Sequence, residues 1–186
     1  MRFSIIATAT AAALYAGATH AAVIVNIQEV GADVIISYSG AIDLTDTAFD
    51  GTKPAEAFGA FPILGVIGNL TDPYTKYLFP SAGVTPHGPG NGALGSSRTG
   101  DIFGFSDSAV GLSVGYVSGA AINGSLTFAA ASLLSLGFTP GSYVTTLPND
   151  AITTNVIGAD VPLPAAAPML LGALALTGVA ARRRKG

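Results

Sequence analysis

Between residues 22 and 160 the apolar positions recur in short runs at a period of two, cut by Gly, Pro, Asn and Asp. Successive side chains of a strand point to opposite faces, so this alternation marks half-buried β-structure. The pattern predicts strands at Val23–Val30, Val34–Tyr38, Phe61–Ile67, Ile102–Phe105, Leu112–Val117, Ile122–Phe128, Ser142–Leu147 and Ile152–Ile157. Gly31-Ala32-Asp33 joins the first two as a hairpin turn, and Thr139-Pro140-Gly141 turns the segment Leu133–Phe138 into the strand at Tyr143. Eight short strands with Gly/Pro turns predict an all-β domain, a single β-sandwich of jelly-roll-like type, over residues 22–160. No internal repeat runs at a fixed period. The stretch 80–101, PSAGVTPHGPGNGALGSSRTGD, offers little to bury and predicts a long mobile loop.

Both ends break this pattern. Arg2 precedes an uncharged run of small and apolar residues, Phe3 to Ala18, followed by Thr19-His20-Ala21-Ala22. A positive start, a short apolar stretch and small residues before the cut predict a secretory signal peptide, residues 1–21, cleaved after Ala21, with Ala18 as second choice. The run is too short and too rich in Ala and Thr for a strong transmembrane span, which takes about 20 apolar residues. At the other end, residues 161–186 read VPLPAAAPMLLGALALTGVAARRRKG. Val161-Pro162-Leu163-Pro164-Ala165 is stiff and extended, because proline fixes its own φ and biases its predecessor away from helix. Ala166 to Ala181 is uncharged, rich in Ala and Leu, and predicts one apolar helix over about 166–181. Arg182, Arg183, Arg184 and Lys185 form a basic stop that stays cytoplasmic by the positive-inside rule, leaving the domain outside.

The order of Val161-Pro162-Leu163-Pro164-Ala165, apolar helix and basic cluster resembles the bacterial PEP-CTERM class of sorting signals, in its VPLPA variant. The resemblance covers about 26 residues. It implies a Gram-negative envelope and a substrate of an exosortase, a transpeptidase-like sorting enzyme in the membrane. It also implies an association with exopolysaccharide. On this reading the chain is the substrate and not an enzyme, held in the inner membrane as a precursor and then surface-bound or extracellular. Leu163-Pro164-Ala165-Ala166-Ala167 lacks the Thr and Gly of a sortase LPxTG signal, and a GPI signal has no basic terminus. A plain C-terminal anchor without processing is the alternative. The stretches Gly115–Gly119, Gly124–Ala129 and Leu136–Tyr143 also resemble ectodomains found on such sorted proteins, which supports the β reading and implies no site.

Charge sharpens the picture. The 186 residues hold only 10% charged side chains and sum to −3, but five of the eight cations lie at the ends. Lys53, Lys76 and Arg98 against eleven carboxylates leave residues 22–160 at −8. A domain so acidic repels phosphate backbones, which sets nucleic acid aside as a partner. The chain has no cysteine, which excludes disulfides, thiolate metal sites and a Cys nucleophile.

The remaining motifs carry little chemistry. Gly111-Leu112-Ser113-Val114-Gly115 matches the G-x-S-x-G nucleophile elbow, but that elbow needs a following helix and a later histidine. Here the flanks alternate like a strand, and His87 precedes Ser113. Gly90-x-Gly92-x-x-Gly95 matches a dinucleotide fingerprint without the strand before it or the helix after it. Asp43, Asp46 and Asp50, near Glu56, are candidates for a weak Ca²⁺ site, without EF-hand spacing. His87 has no carboxylate within ten residues and reads as an exposed loop residue. Asn69-Leu70-Thr71 and Asn123-Gly124-Ser125 match glycosylation sequons, which mean little in a bacterium. These features predict no cofactor and no catalytic set. They leave a non-enzymatic envelope or matrix component, with a polysaccharide- or calcium-binding sandwich module as the alternative.

Overall fold

The structure, a computed structural model, describes residues 22–158. The predicted signal peptide with its cleavage at Ala21, the 161–165 motif, the apolar helix and the basic stop lie outside the described residues. Within them the chain is all-β, with thirteen strands in two sheets and one short helix. No helix among the described residues is long and apolar enough to cross a membrane.

The first sheet holds six strands. β1 (Ala22–Val30) and β2 (Asp33–Ala41) form the predicted hairpin, with Val30 opposite Asp33 and Gly31 at φ +66°, the left-handed value that tight hairpin turns demand. β11 (Ala121–Phe128) pairs with β2, and β8 (Ser97–Gly100) closes that edge. On the other side β13 (Ala151–Ile157) runs parallel to β1 and β12 (Gly141–Thr146) forms the edge. The first and last strands of the domain are therefore neighbours inside one sheet.

The second sheet runs β3 (Ala48–Lys53), β6 (Tyr74–Leu78), β10 (Ala109–Ser113), β9 (Phe103–Phe105), β5 (Val66–Asn69), β4 (Phe58–Phe61) and β7 (Ala93–Leu94), all pairs antiparallel. Period-two alternation turns Val23, Val25, Ile27, Ile36, Leu126 and Ile152 of the first sheet inward, all at 0% exposure. Ile67, Phe103, Phe105, Val110 and Leu112 of the second sheet join them in a single buried cluster. Each such side chain withdrawn from water contributes about 1.5–3 kcal/mol, so this cluster is what holds the sheets face to face.

The structure corrects several expectations. A single strand over Phe61–Ile67 is broken, because Pro62 starts a 3₁₀ turn (Pro62–Leu64) and Gly65 ends it at φ +60°. The strand expected at Leu112–Val117 is shifted back to β10, since Gly115 at φ +82° turns the chain after Ser113. Leu133–Phe138 begins with helix α1 (Leu133–Leu136), whose Ser132 and Ser135 make reciprocal capping bonds. Thirteen strands and the parallel β1–β13 pair stand in place of the eight antiparallel strands of a jelly roll.

The largest correction concerns 80–101. This stretch contains β7 and all of β8, and from His87 onward its backbone is bonded to its neighbours, while 80–84 stay exposed. His87 N–H donates to Pro62 O at 2.8 Å, Thr139 N–H to His87 O at 2.8 Å, and Ile63 N–H to Gly90 O at 2.9 Å. Gly90 N–H reaches Gly137 O at 3.1 Å. The glycines permit this approach: a Cβ on Gly90 would fall 2.2 Å from Leu136 O, and one on Gly137 2.2 Å from Gly90 Cα. The Gly-rich sequence is a strap laid against α1 and the 3₁₀ turn. Backbone has to move to admit a methyl there, so Gly90→Ala is expected to cost about 1–3 kcal/mol. Urea denaturation checks this: a lowered midpoint with unchanged slope is expected, and an unchanged midpoint would mean the strap carries no stability.

Candidate functional site

The outer face of the second sheet carries a depression. Gly59, Gly68, Gly104 and Gly111 stand opposite one another across β4, β5, β9 and β10. The bulky residues on either side of them in sequence point inward, so the outward position is left empty. Leu70 and Tyr74 lean into that space: a Cβ on Gly104 would meet Leu70 Cγ at 3.1 Å, and one on Gly111 would meet Tyr74 Cδ2 at 2.8 Å. What remains is a hollow of about 240 Å³ whose rim includes Glu56, Lys76, Ser106 and Ser108.

Tyr74 is nearly buried, and its hydroxyl donates to Glu56 Oε1 at 2.7 Å. Burial first, and then the neighbouring Glu56, push its pKa up to about 12. The phenol therefore stays protonated and orients Glu56. Lys76 lies 3.7 Å from Asp50, which also pairs with Lys53 at 3.2 Å. The hollow thus offers one oriented carboxylate, one ammonium and two hydroxyls over a backbone floor, an arrangement able to hold a small polar ligand.

The three aspartates expected to gather around Ca²⁺ have separate duties. Asp43 Oδ1 accepts the N–H of Thr45 at 2.9 Å and the hydroxyl of Ser118 at 3.2 Å. Asp46 Oδ2 accepts from Asn149 Nδ2 at 2.9 Å. Asp50 is the lysine partner just described. Among the described residues no three His, Cys, Asp or Glu side chains converge as a metal site. A carboxylate that does organise structure, Asp101, drew no attention in the sequence. Its Oδ2 accepts Asn123 N–H at 2.9 Å, and its carbonyl accepts from Asn69 Nδ2 at 3.1 Å and from the Tyr38 hydroxyl. That network ties β2, β5 and β11 together where the chain crosses between sheets. Burial raises the Tyr38 pKa, opposed by the hydrogen bond from Asn69. Only the structure reveals it, because its members are far apart in the chain.

Ser113 closes β10 opposite Tyr74, and a turn follows it, not a helix. Gly90, Gly92 and Gly95 each make room for a neighbour and hold no phosphate cradle: a Cβ on Gly92 would fall 1.8 Å from Ala60 O, and one on Gly95 2.5 Å from Phe58 Cε2.

His87 reverses its expectation. It is 0% exposed, with ring centroids 5.1 Å from Tyr143 and 6.2 Å from Phe105, and neither imidazole nitrogen has a hydrogen-bond partner. Among the described residues Ser113 accordingly has no imidazole base. No local signal marks this burial, because Pro86, Gly88 and Pro89 look like an exposed turn. Burial lowers the His87 pKa from 6.5 to about 4, so the imidazole is neutral in the fold. A lowered folded pKa contributes stability that is complete above 6.5 and is lost as pH falls toward 4. The loss amounts to about 3 kcal/mol at one unit per 1.36 kcal/mol. Denaturation at pH 7 and pH 4 checks this against His87→Phe, since the two proteins share every other titratable group. The wild type is expected to lose about 3 kcal/mol more than the variant, and equal losses would contradict a neutral buried imidazole. No protein-family model, curated protein or solved structure matches this chain.

Proposed function

We propose that this chain is a non-enzymatic exported protein of a Gram-negative envelope, a substrate for an exosortase-type sorting enzyme. A signal peptide, residues 1–21, directs export and is removed at Ala21. The tail then holds the precursor in the inner membrane, with the domain outside and Arg182, Arg183, Arg184 and Lys185 in the cytoplasm. Cleavage in the Val161–Ala165 region frees the domain for the cell surface or the extracellular matrix.

The observation that carries this reading is the ordered string Val161-Pro162-Leu163-Pro164-Ala165, apolar run and basic stop. The C-terminal limit of the domain supports it: β13 ends at Ile157, four positions before Val161. β1 and β13 are interior members of the six-stranded sheet, so trimming into either would remove part of the core. Cuts at Ala21 and within 161–165 spare every strand among the described residues. A plain anchored protein needs no Pro-punctuated extended segment ahead of its apolar run, and the basic stop alone would serve it.

Replacing Pro162 and Pro164 together by Ala tests the reading in the native host. Loss of extended backbone at the cleavage segment is expected to abolish the released form and leave full-length precursor in the membrane fraction. The same distribution between membrane and medium as the parent chain would favour a plain anchor.

A further inference from the structure

The outer face of the six-stranded sheet has an organisation that the sorting reading does not use. Outward positions of β12, β13, β1, β2, β11 and β8 stand in register as Ser142, Asn155, Asn26, Ser37, Ser125 and Thr99, one continuous polar row across all six strands. Its members are linked: Ser142 Oγ donates to Asn155 Oδ1 at 2.9 Å, Asn155 Nδ2 to Asn26 Oδ1 at 3.1 Å, and the Thr99 and Ser125 hydroxyls lie 3.0 Å apart. On one side of the row lies Val144, Thr153, Ile24, Ser39 and Asn123; on the other lies Ile157, Gln28, Ile35, Thr127 and Ser97. Val144, Ile24 and Ile157 are about half exposed, at 50%, 46% and 47%.

Charge is missing from this face although the domain is acidic. Residues 22–158 carry three cations against ten carboxylates, a net of −7. Of the outward strand positions on this sheet only Asp33, at the hairpin end, is charged, and its Oδ1 is occupied by Ala130 N–H at 2.9 Å. A solvent-facing sheet normally carries charges for solubility and to block unwanted pairing. Here they are replaced by hydroxyls and amides at the strand spacing of about 4.8 Å, flanked by aliphatic side chains.

We propose that this face binds a neutral polysaccharide. The chemistry fits such a chain on three counts. Hydroxyl and amide groups donate and accept, as sugar hydroxyls require. The exposed Ile and Val side chains suit the C–H faces of pyranose rings. An uncharged partner forfeits no ion hydration on docking, whereas a polyanion meets a domain of its own sign. Cross-linking within the row fixes several side chains before binding, which reduces the ordering cost. A second copy of the chain would have to bring two domains of −7 together, which weighs against self-stacking through this face.

The proposal is independent of the sorting reading, because binding is measured on purified chain and processing in cells. The test uses full-length protein in mild detergent, with insoluble and soluble glucans, mannans and galactans as neutral probes and alginate as polyanion. Retention on at least one neutral polymer is expected, little changed between low and high salt. Ser37→Asp combined with Ser125→Asp is expected to weaken it at least about tenfold. Ser39→Asp, at an exposed position beside the row, provides a second variant should the double one unfold, and is expected to weaken it as well. Thr52→Asp, on the other sheet, is expected to leave it unchanged. Failure of the parent chain on every neutral polymer, preference for alginate, or equal retention by Ser39→Asp overturns the proposal. So does a dimer, seen by sedimentation, that the Ser39→Asp change dissociates.

Discussion

Phe103, Phe105, Val110 and Leu112 of one sheet and Val25, Ile27, Ile36 and Leu126 of the other belong to one buried cluster, and the rest of the domain is arranged by that contact. With both sheets committed to it, strict alternation decides what every other position can be. On the six-stranded sheet one outward row becomes polar and neutral, flanked by aliphatic side chains. On the seven-stranded sheet they become glycine along one row, and the hollow beneath Leu70 and Tyr74 is the result. Two different surfaces thus follow from one inner layer.

Two secondary devices secure the layer. At one end Tyr38, Asn69 and Asp101 are hydrogen-bonded to one another where the chain passes from β8 to β9. Along one flank the strap around His87 and Gly90 closes over α1 and the 3₁₀ turn by backbone contact. The strap trades the usual side-chain packing for close backbone approach, which only glycine allows. It also buries a histidine with no polar partner, an arrangement that is stable only while the ring is neutral.

The long alternating strands were legible in the sequence: β1, β2, β11, β12 and β13 fall where the period of two puts them, and the first hairpin turns at Gly31. Of the short strands, β9 was legible, at Ile102–Phe105, but β7 has only two residues, too few for alternation to register, and β3 is polar over much of its length. Residues 80–101 misled because glycine and proline mark both mobile loops and tight packing, and only the partner distinguishes them. Gly90 finds its partner 47 positions away at Gly137. The transverse rows on both outer faces were equally hidden, since they exist only once register is known. The string Val161-Pro162-Leu163-Pro164-Ala165 on which the proposed sorting rests is the opposite case, contiguous in the sequence.

We propose that this domain, whose described strands run from Ala22 to Ile157, is set between two segments that direct its export and release. The most direct measurement of that claim is the intact mass of the protein from its own host, taken separately from membrane and medium. The account predicts a released species that starts at Ala22 and ends within the Val161–Ala165 region. A single membrane-bound species that still carries Arg182 to Gly186 would contradict it.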